Sequence, residues 1–307
     1  MTTLAEKSIE RPSLLIWALL VLLGIVWGSS FSVVSITLQS FQPITIAAGR
    51  ITLAALVLWA LATGLGYGLP TLKTSTGRRI WLHALGVAVL MNVLPFTLLS
   101  WGQLYVASGF AGITMAVVPL LVLPLAHFLV PGEFMNKSKA VGFLLGFLGV
   151  VILIGPKAFL SSGSDVEALA RIACLGATFG YATGNIITRL APPSPQLSFA
   201  AASLILAAAI SLPLAYGFEG LPQNPSIQGI LGLAYLGLVP TALATFILVK
   251  IITTAGPSFM VLVNFQVPVW AALMGIVFLT ETMPPQLIIA LVLILAGLGF
   301  SQIRRRT

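Results

Sequence analysis

Long apolar runs, separated by short polar segments, follow one another along the chain from Leu14 onward. Each run holds about 20 residues with almost no charge, the length that a helix needs to cross the ~30 Å hydrocarbon core of a bilayer. The breaks between runs are rich in Pro, Ser and Gly, which favour turns. The pattern predicts ten spans, at 14–37, 43–64, 79–101, 106–129, 137–156, 168–189, 196–216, 226–249, 257–280 and 285–303.

The composition favours a membrane environment. Hydrophobic residues make up 58% of the chain and charged residues 7%, and the mean hydropathy is +1.08. A soluble domain carries about 25% charged residues, so this chain cannot cover a water-exposed surface. The first apolar run is too long for the core of a signal peptide and is predicted to be the first span. The predicted fold class is therefore an all-α integral membrane protein.

The positions of Lys and Arg predict the orientation. If the N-terminus is cytoplasmic, twelve basic residues fall on the inside and two, Lys157 and Arg171, on the outside. The inside residues are Lys7, Arg11, Lys73, Arg78, Arg79, Lys137, Lys139, Arg189, Lys250, Arg304, Arg305 and Arg306. Because basic residues concentrate in cytoplasmic loops, both termini are predicted to be cytoplasmic. This distribution also explains the net charge of +8 without a nucleic-acid partner.

The chain contains two related halves. The first half carries Gly24, Gly28, Pro119, Glu133 and Gly149, and the second carries Gly176, Gly180, Pro268, Glu281 and Gly297 at offsets of 148 to 152 residues. Each half holds five predicted spans, so the second enters the membrane from the opposite side. We therefore predict two inverted five-helix repeats, 1–156 and 157–307, around a central cavity. Inverted repeats are typical of transporters that work by alternating access.

The same features resemble a known family. They are a Trp-Gly-Ser-Ser-Phe run from Trp27 to Phe31, Arg50 early in the second span, and a mid-span Pro followed 13 or 14 residues later by Glu in both halves. Together they resemble the drug/metabolite transporter superfamily, in its EamA-type ten-helix branch. The resemblance implies a bacterial inner-membrane exporter of small metabolites, similar to exporters of aromatic and hydrophobic amino acids. Thr280 stands before Glu281 where the family usually has Gly, so the second half departs from the pattern there.

Four prolines are predicted to lie near the middle of the membrane: Pro95, Pro119, Pro240 and Pro268. A proline inside a helix frees a backbone carbonyl and kinks the helix. In lipid, such a carbonyl is tolerated where protein or a wet cavity satisfies it, so the four kinks favour a central cavity. The alternative is that the prolines only shape helix packing. Gly28 and Gly180 are predicted to allow close helix approach and some movement between helices.

Polar and aromatic residues within spans supply candidates for substrate binding. They are Ser30, Asn92, Trp101, Thr114, Tyr181, Asn185, Asn264 and Gln266. An amide can bind the carboxylate or the ammonium of an amino acid, and an aromatic ring can stack on an apolar body. The alternative for each amide is that it satisfies a carbonyl freed by a nearby proline.

Arg50 is the one charged residue predicted well inside a span. It is expected to face the interior of the bundle, where it either binds backbone carbonyls or meets a substrate carboxylate. The spans hold no carboxylate, which disfavours cationic substrates and carboxylate-based proton exchange. The prediction is thus facilitated or weakly coupled export of net-neutral, amino-acid-like metabolites.

The sequence leaves three alternatives open. One is a proton-coupled drug/metabolite antiporter, in which a His takes the coupling role. A second, of another class, is a channel or lipid scramblase, although the polar residues cluster at mid-depth rather than forming a stripe. The third, an enzyme, lacks support because the usual catalytic motifs are absent from the sequence. No metal-type spacing or cofactor motif occurs, and the chain is expected to be a monomer or a weak homodimer.

Overall fold

The computed structural model describes residues 13–154 and 166–302. Within these ranges the chain is helical, and ten long helices follow one another. They are α1 (Leu14–Thr37), α2 (Pro43–Gly64), α3 (Ser75–Gly102), α4 (Ser108–Leu129), α5 (Lys137–Ile154), α6 (Val166–Leu190), α7 (Gln196–Glu219), α8 (Ile227–Ala255), α9 (Val263–Leu279) and α10 (Pro285–Ser301). A short helix, Pro257–Met260, leads into α9.

The observed helices confirm the all-α membrane class. Six of those described, α1 to α4, α7 and α8, are long and apolar enough to cross a membrane, while α9 and α10 are shorter apolar helices of 17 residues each. The predicted edges differ most at α8, which continues beyond 249 to Ala255, and at α9, which begins at Val263 rather than at 257. The predicted repeat boundary at 156/157 lies outside the described residues, as do Lys7, Arg11, Lys157, Arg304, Arg305 and Arg306.

Two counterpart helices are interrupted at matching positions. A π-helical turn spans Ala88–Val93 within α3, and another spans Leu238–Leu243 within α8. Pro95 follows the first turn closely and Pro240 lies inside the second, so each proline accompanies a widened turn in which a backbone hydrogen bond is rearranged. Turns of this kind are frequent at functional sites. The interruption in both halves supports the prediction of a duplicated architecture.

The other two prolines behave differently from each other. In α4 a 3₁₀ turn, Met115–Val117, ends two residues before Pro119. In α9 the helix continues through Pro268, and the interruption falls earlier, between Pro257–Met260 and Val263. A proline removes one hydrogen bond, and an otherwise well-packed helix can absorb that loss without a break. The predicted kink is therefore displaced towards the start of α9.

The last helices of the two halves pack closely and run antiparallel. Gly142 of α5 lies against Gly297 and Ser301 of α10, and Gly149 lies against Ile294. At the other end of the pair, the Gln286 side chain donates to the Ile152 carbonyl at 2.7 Å. Glycine residues let the two helix backbones approach closely, because a Cβ atom at these positions would collide with the opposite helix. The glycines of α5 thus serve a helix pair within the chain.

Other helix contacts also occur in pairs that relate one half to the other. Helices α2 and α7, the second of each half, also run antiparallel, because Glu219 at the end of α7 binds backbone N–H groups at the start of α2. Helix α3 packs on α6, and their counterparts α8 and α1 pack on each other. Helix α1 likewise packs on α9 as α6 packs on α4. Counterpart helices that run in opposite directions are the arrangement expected of two inverted halves.

Large apolar side chains cover the outer faces of the helices. Phe128, Phe218 and Phe278 are each at least 70% exposed. An exposed apolar surface of this kind fits lipid rather than water. The interior, by contrast, is filled by Leu and Ile side chains together with many Ala and Gly residues, which bring the helices close together.

Candidate functional site

Arg50 is the charged residue around which the candidate site forms. It lies in α2 and is only 6% exposed. Its Nε and Nη2 atoms donate to the Thr241 Oγ1 atom of α8 at 3.4 Å and 3.1 Å. Its guanidinium carbon lies 3.9 Å from the centre of the Phe96 ring of α3. Arg50 therefore connects α2 of the first half to the interrupted helix α8 of the second half.

The π turn of α8 positions the hydroxyl that Arg50 binds. The Pro240 ring cannot donate to the carbonyl of Leu236 four residues earlier, and Thr241 Oγ1 donates to that carbonyl at 2.7 Å. The hydroxyl is thereby fixed with its lone pairs towards the guanidinium. The Pro240 carbonyl in turn accepts from the Trp27 indole nitrogen of α1 at 3.2 Å. The proline thus organises two polar contacts between the halves.

The interrupted helix α3 forms the opposite wall. Asn92 lies in its π turn, and its side-chain amide donates to the Val87 carbonyl at 3.2 Å. This contact matches the alternative role predicted for the amides, because the side chain satisfies a backbone carbonyl of the interrupted helix. Phe96 follows Pro95 and carries the ring beneath Arg50. Tyr181 of α6 is partly buried and packs against the same apolar core as Trp27 and Val239.

The charge of Arg50 is only partly compensated. The described ion pairs are Lys139–Glu133, Arg171–Glu167 and Arg189–Glu133, none of which includes Arg50. A cation over an aromatic ring gains about 2 kcal/mol when desolvated, and hydrogen bonds to a charged group about 1.5–3 kcal/mol. Burying a guanidinium costs several kcal/mol, so these contacts do little more than offset the desolvation. A carboxylate arriving at this point would complete the site.

The backbone-carbonyl contacts considered for Arg50 are not seen among the described residues. The guanidinium binds a hydroxyl and a ring instead of a group of carbonyls. These contacts explain how the charge is held without a carbonyl cluster. The Nη1 atom of Arg50 has no described hydrogen bond. It lies on the side of the guanidinium where a bidentate partner would bind.

The other predicted residues divide by their contacts. Ser30, Thr114 and Asn185 donate to carbonyls of their own helices, at Trp27, Ala111 and Tyr181. Asn185 is also exposed, which places its side chain towards the outside of the bundle. A hydroxyl or amide bonded to its own helix has less capacity left for a substrate. None of these three contacts involves Arg50.

Gln266, Asn264 and Trp101 lie on other surfaces. Gln266 packs against Gly24 where α9 crosses α1, and Asn264 is partly buried one turn before Pro268. Trp101 lies at the end of α3, where its ring is 5.4 Å from that of Tyr105. Tyr105 is 47% exposed, and neither ring is among the described contacts of Arg50.

The two predicted glycines lie at close helix crossings. A Cβ on Gly28 would lie 2.5 Å from the Trp270 Cβ atom, and a Cβ on Gly180 would lie 2.8 Å from the Leu90 carbonyl oxygen. The first crossing joins α1 to α9 and the second joins α6 to α3. Gly180 therefore holds α6 against the π turn of α3 and brings the neighbouring Tyr181 towards the site.

Sequence reasoning missed Thr241 and Phe96. Each follows a proline that was singled out, and the signal was the proline itself, because the residues around a widened turn are displaced from the regular helix surface. No local pattern pairs Arg50 with Thr241, which is 191 residues away. Sequence reasoning also missed a hydrogen bond between Ser29 and Tyr235, 2.7 Å long, which ties α1 to α8 beside the site.

A concave surface lies away from Arg50. It is a groove between α4, α5 and α6 that includes Phe143, Phe147 and Phe179 in an almost wholly apolar lining. Phe147 and Phe179 are each 55% exposed. A surface of this kind suits lipid chains, so it is not the candidate site. Among the described residues, no group of three or more His, Cys, Asp or Glu is arranged to hold a metal ion.

Comparisons with known proteins agree with the architecture. A solved crystal structure shares the fold with a TM-score of 0.67, at 22% identity over 93% of this chain and 96% of that chain. The chain is similar to the uncharacterized inner membrane transporter YedA of Escherichia coli, with 28% identity over 86% of this chain and 83% of that protein. It is also 27% identical to the protein PecM of Dickeya dadantii, over 89% of this chain and 87% of that protein.

A third relative is the probable terminal-alkyne amino-acid exporter of Streptantibioticus cattleyicolor. It is 25% identical, over 95% of this chain and 94% of that protein. The model of the EamA-like transporter family matches twice, at residues 15–155 and 168–301. The two matches cover most of the chain and fall one on each half. The chain therefore belongs to the EamA-like transporter family.

Proposed function

We propose that this transporter exports small, net-neutral metabolites that carry a carboxylate, with aromatic and hydrophobic amino acids as the principal class. The observation that carries the proposal is the buried guanidinium of Arg50, which has no carboxylate partner among residues 13–154 and 166–302. A substrate carboxylate supplies the missing charge. The probable amino-acid exporter among the similar proteins supports the same class.

The neighbouring side chains suit an apolar substrate body. Phe96, Trp27 and Tyr181 are aromatic, and they come from three helices that pack on or beside α2 and α8. An aromatic ring or branched alkyl chain gains from burial against such surfaces. A dicarboxylate or phosphate would need more cations than the one that the site provides. The site thus favours one carboxylate attached to an apolar group.

The proposed mechanism is alternating access between two inverted halves, 1–156 and 157–307. The antiparallel pairs α5–α10 and α2–α7 support the inversion, and the basic residues support cytoplasmic termini in a bacterial inner membrane. Because the described membrane helices hold no carboxylate beside Arg50, transport runs down the substrate gradient or with weak coupling. The rival within carriers, proton-coupled antiport, predicts a steep dependence on a pH gradient.

Counterflow into proteoliposomes tests the proposal. Vesicles loaded with unlabelled phenylalanine should accumulate labelled phenylalanine and leucine, but not phenethylamine, which lacks the carboxylate. Arg50→Gln should abolish accumulation and Arg50→Lys should reduce it, because Lys keeps the charge but not the planar fork. Arg78→Gln, in the first turn of α3 on the predicted cytoplasmic side, is the matched control and should behave like the parent.

Several outcomes would contradict the proposal. Accumulation of phenethylamine at the rate of phenylalanine, or full activity in Arg50→Gln, would remove the carboxylate from substrate recognition. Accumulation that requires a pH gradient would favour the proton-coupled antiporter. Unitary currents or lipid exchange between leaflets in the absence of substrate would favour the channel or scramblase.

A further inference from the structure

The π turns of α3 and α8 carry polar side chains at equivalent positions. Asn92 and Thr241 are 149 residues apart, which is also the offset between the mid-span prolines of α4 and α9. The Asn92 amide donates to the carbonyl of Val87, five residues before it, at 3.2 Å. The Thr241 hydroxyl donates to the carbonyl of Leu236, also five residues before it, at 2.7 Å. The two halves therefore satisfy the same carbonyl of the widened turn in the same way.

The two turns differ in the cation that they contact. Thr241 accepts from the guanidinium of Arg50, which comes from α2. The corresponding helix of the second half is α7, and it carries no charged residue before Glu219. Within the described parts of the chain, Asn92 makes one hydrogen bond, to Val87. Equivalent positions of the two halves therefore differ in their surroundings: a guanidinium binds Thr241, whereas α7 supplies no cation for Asn92.

The bond to Val87 determines which atom of the Asn92 amide is left for a ligand. A carbonyl can only accept, so the amide nitrogen must face it, and the Oδ1 atom remains as an acceptor. Asn92 is partly buried. Pro95 has no N–H group and leaves a further carbonyl of the helix without its usual donor. The turn of α3 thus offers oxygen acceptors, which an ammonium group needs because it has three donors and no acceptor.

Arg50 and Asn92 are close enough to bind one substrate molecule. Helix α2 packs on both π turns. Asn92 and Phe96 are four residues apart on α3, so they share a face of the helix and lie about 6 Å apart along its axis. The Arg50 guanidinium carbon lies 3.9 Å from the centre of the Phe96 ring. Hydrogen bonds of about 2.9 Å from the carboxylate and the ammonium of one amino acid can span such a distance.

We propose that Asn92 binds the ammonium group of the substrate through its Oδ1 atom while Arg50 binds the carboxylate. The inference rests on the proposed function, because that function places the carboxylate at Arg50. It narrows the substrate class to amino acids with a free ammonium group, so a carboxylate that lacks the ammonium binds poorly. The two π turns then recognise the opposite charges of one zwitterion.

A neutral acceptor suits this position better than an acidic one. A carboxylate one helical turn from Phe96 would form an ion pair with Arg50, because Arg and carboxylate groups bind each other strongly. That pair would occupy the guanidinium and exclude the substrate carboxylate. An amide oxygen accepts from an ammonium group without neutralising Arg50. The absence of an acidic residue from this part of α3 is therefore compatible with binding of a zwitterion.

Competition against counterflow of labelled phenylalanine tests the proposal in proteoliposomes. The two unlabelled competitors are phenylalanine and phenylpropanoate, which is phenylalanine without its ammonium group. Competition reports binding whether or not the competitor is itself transported. In the parent protein the half-inhibitory concentration of phenylpropanoate should exceed that of phenylalanine on the order of tenfold, because a hydrogen bond from a charged group is lost. The ratio of the two concentrations is the quantity that the variants change.

Four variants separate ammonium binding from a structural role. Asn92→Leu should bring the ratio close to one, because only phenylalanine loses a bond, whereas a purely structural defect would weaken both competitors alike. Asn92→Thr should keep most of the ratio, because a hydroxyl can donate to Val87 and accept from the ammonium, as Thr241 does between Leu236 and Arg50. Thr241→Val, at the equivalent position, should weaken both competitors and keep the ratio. Asn185→Leu removes an exposed amide and should change neither value.

Two results would overturn the proposal and leave the proposed function in place. The first is equal competition by phenylpropanoate and phenylalanine in the parent, and the second is the parent's ratio in Asn92→Leu. Competition by phenethylamine with none by phenylpropanoate would instead overturn the proposed function together with this inference, because the carboxylate would not be recognised. For a variant that transports too slowly, the rise in melting temperature that each compound causes in purified protein gives the same comparison.

Discussion

Replacing Thr241 with Val removes the hydroxyl that joins Arg50 to the interrupted helix α8. The hydroxyl accepts from the guanidinium and donates to the Leu236 carbonyl at 2.7 Å. Val has nearly the same shape, so the change leaves packing almost intact while both bonds are lost. The carbonyl freed by Pro240 then has no side-chain partner, and Arg50 keeps only its contact with Phe96.

The expected loss follows from these two contacts. A buried carbonyl without a partner costs about 1–3 kcal/mol, and a hydrogen bond to a charged group contributes about 1.5–3 kcal/mol. The two share one hydroxyl and do not add fully, so Thr241→Val should lower the free energy of unfolding by about 2–4 kcal/mol. At about 2 °C per kcal/mol for a chain of this size, the melting temperature should fall by about 4–8 °C.

The assay is thermal unfolding of purified protein in detergent, with Thr241→Ser as the control because it keeps the hydroxyl. A double-mutant cycle with Arg50→Met separates the two terms: the part due to Arg50 should disappear in the Met background, and the part due to Leu236 should remain. If Thr241→Val melts at the same temperature as Thr241→Ser, the hydroxyl does not hold Arg50 and α8 together, and the reasoning from these two bonds is refuted.

Three further predictions concern the packing, the inner charges and the predicted site. Gly297→Ala should destabilise the protein, because the new Cβ would lie 2.5 Å from the Gly142 oxygen, whereas Gly299→Ala, which faces open space, should be neutral or slightly stabilising in thermal unfolding. Hydrogen bonding from Arg189 lowers the pKa of Glu133 below its ordinary value. The pair therefore stabilises the fold above that ordinary pKa and is lost as the pH falls through the lowered one, so carbon-detected NMR should show the pKa rising in Arg189→Gln. Asn185→Leu should leave counterflow unchanged, because that side chain is exposed, while Asn92→Leu should impair it, because the partly buried amide satisfies the Val87 carbonyl at the π turn of α3.

Much of the fold follows from local sequence features. The bilayer requires long apolar helices, so the runs of hydrophobic residues predicted all ten. Pro95 and Pro240 marked the two interrupted helices, because a missing N–H group has a consequence that depends little on neighbours. Pro268 did not mark its interruption, since the surrounding helices decide whether a freed carbonyl breaks a turn or is absorbed by it.

The site was less predictable, because it depends on which side of each helix faces the interior. In helices that are apolar all round, the hydrophobic pattern carries little information about the buried side. Asn185 and Tyr181 are one turn apart on α6, yet Asn185 is exposed and Tyr181 is partly buried against the core. Thr241 was missed for the same reason: its importance comes from Arg50 on another helix.

Among residues 13–154 and 166–302, Arg50 is the one buried charged side chain, and it has no counterpart in the second half. Arg50 lies in α2, whereas its counterpart helix α7 carries no charged residue before Glu219. A second Arg from α7 would place two guanidinium groups near the same central space, and their repulsion would exceed what Phe96 and Thr241 compensate. Under the proposed mechanism, a single cation gives the space between the two halves a direction. The proposed function therefore predicts that a substrate binds with its carboxylate towards α2 in both access states.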